Sequence, residues 1–75
     1  MQNNTLVIKA TKRPETLERL LRVIRHRGFE VLSLNTENKD GEITFNVTVQ
    51  SIREISLLIN QLEKLPDVKS LRQLM

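Results

Sequence analysis

The chain has 75 residues, no cysteine, tryptophan or tyrosine, and 12 Lys and Arg against 9 Asp and Glu, for a net charge of +3. Without cysteine there is no disulfide, no thiolate metal site and no cysteine nucleophile, and no apolar run has the length of a membrane span. The length predicts a single domain, residues 1–75, whose core supplies no more than ~3–5 kcal/mol, so association with another chain is expected.

The amino terminus lacks a charged stretch followed by an apolar one, which predicts no secretory signal and a cytoplasmic location. Thr5 to Ala10 is short and β-branched and reads as the first strand. A basic loop, Thr11-Lys12-Arg13-Pro14, follows. It has no glycine to let a backbone wrap a phosphate, so it does not read as the anion cradle of an acylphosphatase-like enzyme. Pro14 suits the first position of a helix, where its missing N–H has no partner to lose. Leu17, Leu20, Leu21 and Ile24 then recur at helical period, and Gly28 stands where a left-handed cap needs a residue without Cβ.

Phe29 to Leu34 reads as the second strand, but Phe29, Val31, Leu32 and Leu34 do not alternate cleanly. A bulge, burial on both faces or a neighbouring chain would account for that. Asp40-Gly41 supplies hairpin chemistry. Beyond it Ile43, Phe45, Val47 and Val49 alternate with Glu42, Thr44, Asn46 and Thr48, a strand with one buried and one polar face. Ser51 and Glu54 have the spacing of a capping box for a second helix that stops before Pro66. Its stripe, Ile55, Leu58, Ile59 and Leu62, repeats that of the first helix 38 positions later. Val68 to Leu74 completes the chain as a strand.

The order is β-α-β-β-α-β. It predicts an α+β, ferredoxin-like fold: a four-stranded antiparallel sheet with helices near residues 14–27 and 52–65 on one face. The expected core is Leu6 or Val7, Ile8, Leu17, Leu20, Leu21, Ile24, Ile43, Phe45, Val47, Ile55, Leu58, Ile59, Leu62 and Val68. Leu57 points away from the second helix's stripe. A single exposed leucine is ordinary; the alternative is an anchor for a protein partner.

No catalytic constellation is legible. His26 is the sole histidine, set among Arg19, Arg22, Arg25 and Arg27 with no carboxylate at metal-ligand spacing, and reads as a solvated residue near a helix C-terminus. Glu15–Arg19 and Glu18–Arg22 are i, i+4 pairs that support the helix. The basic cluster raises nucleic-acid binding as a reading. An RNA-recognition sheet of this topology, however, stacks bases on exposed aromatics, and Phe45 lies on the apolar side of its strand. A solvated helix face or a charged docking surface for a protein fits better. No metal, no cofactor and no nucleic acid is expected on this chain.

The string R-P-E-T-L-E-R-x-L-R-V-x-R-H-R-G-F from Arg13 to Phe29, a strand ending near Asn35, and the segment Gln61-Leu62-x-Lys64-Leu65-x-Asp67-Val68 resemble an ACT domain. More narrowly they resemble the short small subunits of acetohydroxyacid synthase (acetolactate synthase), isozyme II type. The resemblance implies a non-catalytic regulatory or activating subunit in valine, leucine and isoleucine biosynthesis. Its partner would be a catalytic large subunit that holds thiamine diphosphate, magnesium and FAD. A homodimer through the sheet is also implied. The alternative is a free-standing ACT homodimer that senses an amino acid or regulates another metabolic enzyme.

The resemblance also places an effector site at the loop after the first strand. Valine-sensitive relatives carry an asparagine and a glycine there and a further asparagine early in the second strand. The corresponding positions hold Lys12, Glu15 and Glu30 here. Glu15 adds a side chain and a negative charge where an amino acid's carboxylate would approach a helix terminus, and Glu30 lacks an amide donor. No effector binding is therefore expected, unless Lys12 or Arg13 takes the carboxylate. Those relatives carry a second domain of comparable length that has no counterpart in these 75 residues.

Overall fold

A computed structural model describes residues 2–74. The elements run β1 (Gln2–Thr11), α1 (Thr16–His26), β2 (Glu30–Lys39), β3 (Glu42–Ser51), α2 (Ile55–Glu63) and β4 (Val68–Leu74). The strands form one antiparallel sheet in the order β2-β3-β1-β4. This is the expected ferredoxin-like arrangement.

Strand alternation divides the sheet into two faces. Leu6, Ile8 and Ala10 of β1 and Phe45, Val47 and Val49 of β3 are fully buried, and they pack in one cluster with Leu20 and Ile24 of α1 and Leu58 and Leu62 of α2. The 38-residue repeat thus survives in three dimensions: Leu20 matches Leu58 and Ile24 matches Leu62. Removing such side chains from water stabilises the fold by roughly 1.5–3 kcal/mol each. The other face carries Thr44, Asn46 and Thr48, and the hydroxyls of Thr5 and Thr48 meet across strands at 3.0 Å.

The hairpin forms as its residues require. Asp40 and Gly41 take φ of 50° and 77°, both positive, as a two-residue turn with matching twist demands. The ladder closes directly onto Lys39 and Glu42, so β2 runs well past Leu34. Irregular hydrophobicity in β2 has a local cause. The register slips between Val31 and Ser33, which leaves Leu32 without a partner and 46% exposed.

The start of α1 is later than Pro14. The Thr16 N–H donates to the Arg13 carbonyl at 3.1 Å, so Pro14 occupies a turn leading into the helix. Its far end is a Schellman cap: Gly28, at φ 85°, donates to the Arg25 carbonyl and Phe29 to that of Ile24, at 3.0 and 3.1 Å. Phe29 therefore belongs to this cap, not to β2, and its ring is buried in the core.

Two further expectations are corrected. Leu21 is only partly buried and is not among the side chains packed on the core. The buried face of α1 is rotated toward Thr16, Leu20 and Ile24, with Val23 alongside, because the Thr16 hydroxyl is anchored to the Thr11 carbonyl at 3.0 Å. The Ser51–Glu54 capping box does not form. Ser51 Oγ donates to the Gly28 carbonyl at 2.9 Å and accepts the Arg53 N–H at 3.0 Å, and α2 begins only at Ile55 after an uncapped Glu54. Ser51 ties the two helix ends together instead. Leu17, Ile43, Ile55, Ile59 and Val68 pack at the edge of the core, partly buried.

Candidate functional site

The loop between β1 and α1 is where sequence reasoning places any effector. Its backbone is held on two sides. Thr11 donates to the Asp67 carbonyl at 2.8 Å, and Lys12 donates to that of Gly41 at 3.0 Å. The Asp67 side chain adds a third tie from beneath. Buried at the turn before β4, it receives Arg13 Nε at 3.3 Å on one oxygen and an Arg19 guanidinium nitrogen at 3.1 Å on the other. Arg19 therefore serves Asp67, not Glu15. Among the described residues neither Glu15–Arg19 nor Glu18–Arg22 closes as an ion pair.

Asp67 falls in the Gln61–Val68 segment that resembles the family, but no periodicity or spacing in that segment marks it as site-forming. Its partners lie 48 and 54 positions away. Only the β1–β4 pairing brings them together.

Lys12 and Glu15 are both exposed in this loop, with Glu15 at the N-cap of α1 and making no capping hydrogen bond. Glu18 lies in the first turn. Two carboxylates at a helix N-terminus favour the helix and oppose a carboxylate ligand. Glu30 is not part of this neighbourhood. It pairs with Gln50, whose amide donates to it at 3.5 Å, at the end of the sheet where β1 begins. Lys12 follows Thr11, which pairs with Glu42 at the opposite end. Eight strand residues at ~3.4 Å each separate the two rows by about 27 Å. One ligand cannot touch Lys12, Glu15 and Glu30 within a single copy.

His26 and its arginines frame a different feature. A groove of about 360 Å³ opens between the two helices, lined by Arg22, Val23, His26 and Arg27 on the α1 side and Gln61, Lys64 and Leu65 on the α2 side. Arg27 donates to Gln61 Oε1 at 3.0 Å across it. Among the described residues the lining carries no carboxylate, which does not suit it to a magnesium–diphosphate group, whose metal takes hard oxygen ligands. Among the described residues no cluster of three or more His, Cys, Asp or Glu side chains could hold a metal ion, and no helix is long and apolar enough to cross a membrane.

Comparison with known proteins decides the family. Residues 12–71 match the ACT domain. Over 70 residues the chain is 46% identical to the acetolactate synthase isozyme 2 small subunit of Escherichia coli (strain K12), covering 91% of this chain and 80% of that protein. The chain belongs to the ACT-domain family of acetolactate synthase small subunits.

Solved structures agree on the fold. The acetolactate synthase small subunit of Thermotoga maritima superimposes with a TM-score of 0.84 at 16% identity, over 97% of this chain and 47% of that one. The ACT domain from GTP pyrophosphokinase of Chlorobium tepidum gives 0.83 at 18% identity, over 96% of each chain. As an acetolactate synthase small subunit, the chain is the regulatory, accessory part of an enzyme of branched-chain amino acid biosynthesis and not its catalytic part.

Proposed function

We propose that this small subunit activates its catalytic large subunit without conferring feedback inhibition by valine. The large subunit binds thiamine diphosphate, magnesium and FAD and forms acetolactate; the small subunit docks on it and raises that rate. The observation that carries the reading is the Asp67 clamp. It commits Arg13 and Arg19 to an internal carboxylate and makes the loop a braced structural element. Glu15 and the distant Glu30 support the same conclusion, since neither offers an amino acid's carboxylate a donor. The exposed edges of β2 and β4 favour pairing of sheets between copies, because unpaired strand edges are templates for another strand. The assembly works in the cytoplasm, where branched-chain amino acids are made.

The test is reconstitution. The chain alone, supplied with pyruvate, thiamine diphosphate, magnesium and FAD, forms no acetolactate. Added to the large subunit from the same source, it raises the rate. A catalytic subunit indifferent to it would overturn the activating role and favour a free-standing ACT sensor.

A further inference from the structure

We infer that the groove between α1 and α2 is the surface that docks on the catalytic chain, and that it receives an acidic segment bearing an apolar side chain. This rests on the small-subunit reading above.

The charge arrangement is the first support. Arg22, His26, Arg27 and Lys64 surround the groove, and no acid is among its described lining residues. Away from the groove, Arg13 and Arg19 pair with Asp67, and Lys69 pairs with Glu42. Among the described residues Arg22, His26 and Lys64 have neither an ion-pair nor a hydrogen-bond partner. The fold thus sets the positive charges of Arg22, Arg27 and Lys64 around one concavity with no carboxylate among its described lining residues.

The apolar content is the second. Val23 and Leu65 form the groove's apolar lining. Leu57, half exposed, lies four residues before Gln61 and seven before Lys64, so it extends the same face of α2 by one turn. An exposed leucine beside an apolar slot, rimmed by charge, has the make-up of an interface centre with a polar rim. Charge complementarity would then steer encounter and set orientation, and the apolar contact would hold the complex.

Other occupants fit less well. A second copy meeting this face isologously would set cations against cations. A nucleic acid would find no Phe, Tyr or Trp among the described residues of the groove, and only the His26 ring on which to stack a base.

The experiment titrates the small subunit into the catalytic chain from the same source and reads acetolactate formation, with complex formation followed by sedimentation. The Arg22→Glu/Lys64→Glu variant should raise the half-saturating concentration at least tenfold and keep the wild-type circular dichroism. Leu57→Ser should raise it severalfold with the same maximal rate. A reversal on the exposed side of the central strand β1, Lys9→Glu, away from the helices and from both sheet edges, should stay within twofold. Wild-type half-saturation should rise with salt. If the wild type stimulates and the groove variants match it, the docking surface is elsewhere and the small-subunit reading stands. The docking surface is likewise elsewhere if the groove variants lose binding to a labelled RNA while stimulating normally. If the wild type itself fails to stimulate, both readings fall.

Discussion

An Arg19 guanidinium nitrogen lies 3.1 Å from Asp67 Oδ2, across 48 positions of sequence, and Arg13 Nε reaches the other oxygen of the same carboxylate at 3.3 Å. The arginines come from the loop and helix after β1; the aspartate comes from the turn before β4. Because Asp67 is buried while both guanidinium groups reach solvent, the pair is asymmetric. Losing the carboxylate removes two charge-assisted contacts, whereas losing one arginine leaves the other in place.

Asp67→Ala should therefore cost about 1–3 kcal/mol of stability in urea denaturation. Arg19→Ala should cost less, about 0.5–1 kcal/mol, since solvent screens its charge. Equal losses for the two variants would show that the clamp is not organised around the aspartate.

The helix stripe separates what is legible in the sequence from what is not. Period alone locates both helices and finds Leu20, Ile24, Leu58 and Leu62, all fully or nearly fully buried. It cannot orient α1 finely, because Leu20 and Leu21 differ by only one position, and the anchor that sets the rotation is a hydroxyl, Thr16. Leu20→Ala should accordingly cost about 2–5 kcal/mol. Leu21→Ala should cost well under half as much, about 1 kcal/mol or less. Thermal melts of the two variants check the order, and a reversed order would place Leu21 on the buried side.

Gly28 is legible in the sequence as a cap, but part of the cost of replacing it is non-local. Its φ of 85° is unfavourable for any residue with a Cβ, and a Cβ built there lies 2.9 Å from Arg53 Nε. Gly28→Ala should cost about 1–2 kcal/mol from the backbone alone. Combining it with Arg53→Ala should recover only the steric part. Full recovery in the double variant, measured by urea denaturation, would show that the left-handed backbone carries no penalty here.

The candidate site is legible only where it is contiguous. Lys12 and Glu15 lie in one loop and can be placed by alignment on Leu17 and Gly28. The Asp67 clamp and the interhelical groove are assembled from segments far apart in the chain, and no periodicity announces a pairing of that kind. Leu57 stands out by sequence because it breaks the helical stripe. Its relation to Gln61 and Lys64 acquires meaning only once α2 lies beside α1.

The loop after β1 bears on feedback as well. A valine carboxylate approaching the N-terminus of α1 meets Glu15 at the N-cap and Glu18 in the first turn. Arg13, the cation next to that terminus in sequence, is already held by Asp67. Like charges brought together in a partly desolvated contact cost several kcal/mol, and a loss of ~4 kcal/mol moves a micromolar site close to the millimolar range. Lys12, exposed and with its side chain unengaged among the described residues, is the one local charge left to offset this. Calorimetric titration of valine, leucine and isoleucine into the isolated chain and the reconstituted enzyme should therefore give no saturable micromolar binding, and valine should leave the stimulated rate unchanged. Exchanging Glu15 for glycine and Glu30 for asparagine should strengthen any weak valine binding by tenfold or more, provided two copies associate so that the two ends of the sheet face one another. Micromolar valine binding to the natural chain, abolished by Lys12→Ala, would overturn the prediction and make Lys12 the carboxylate's partner.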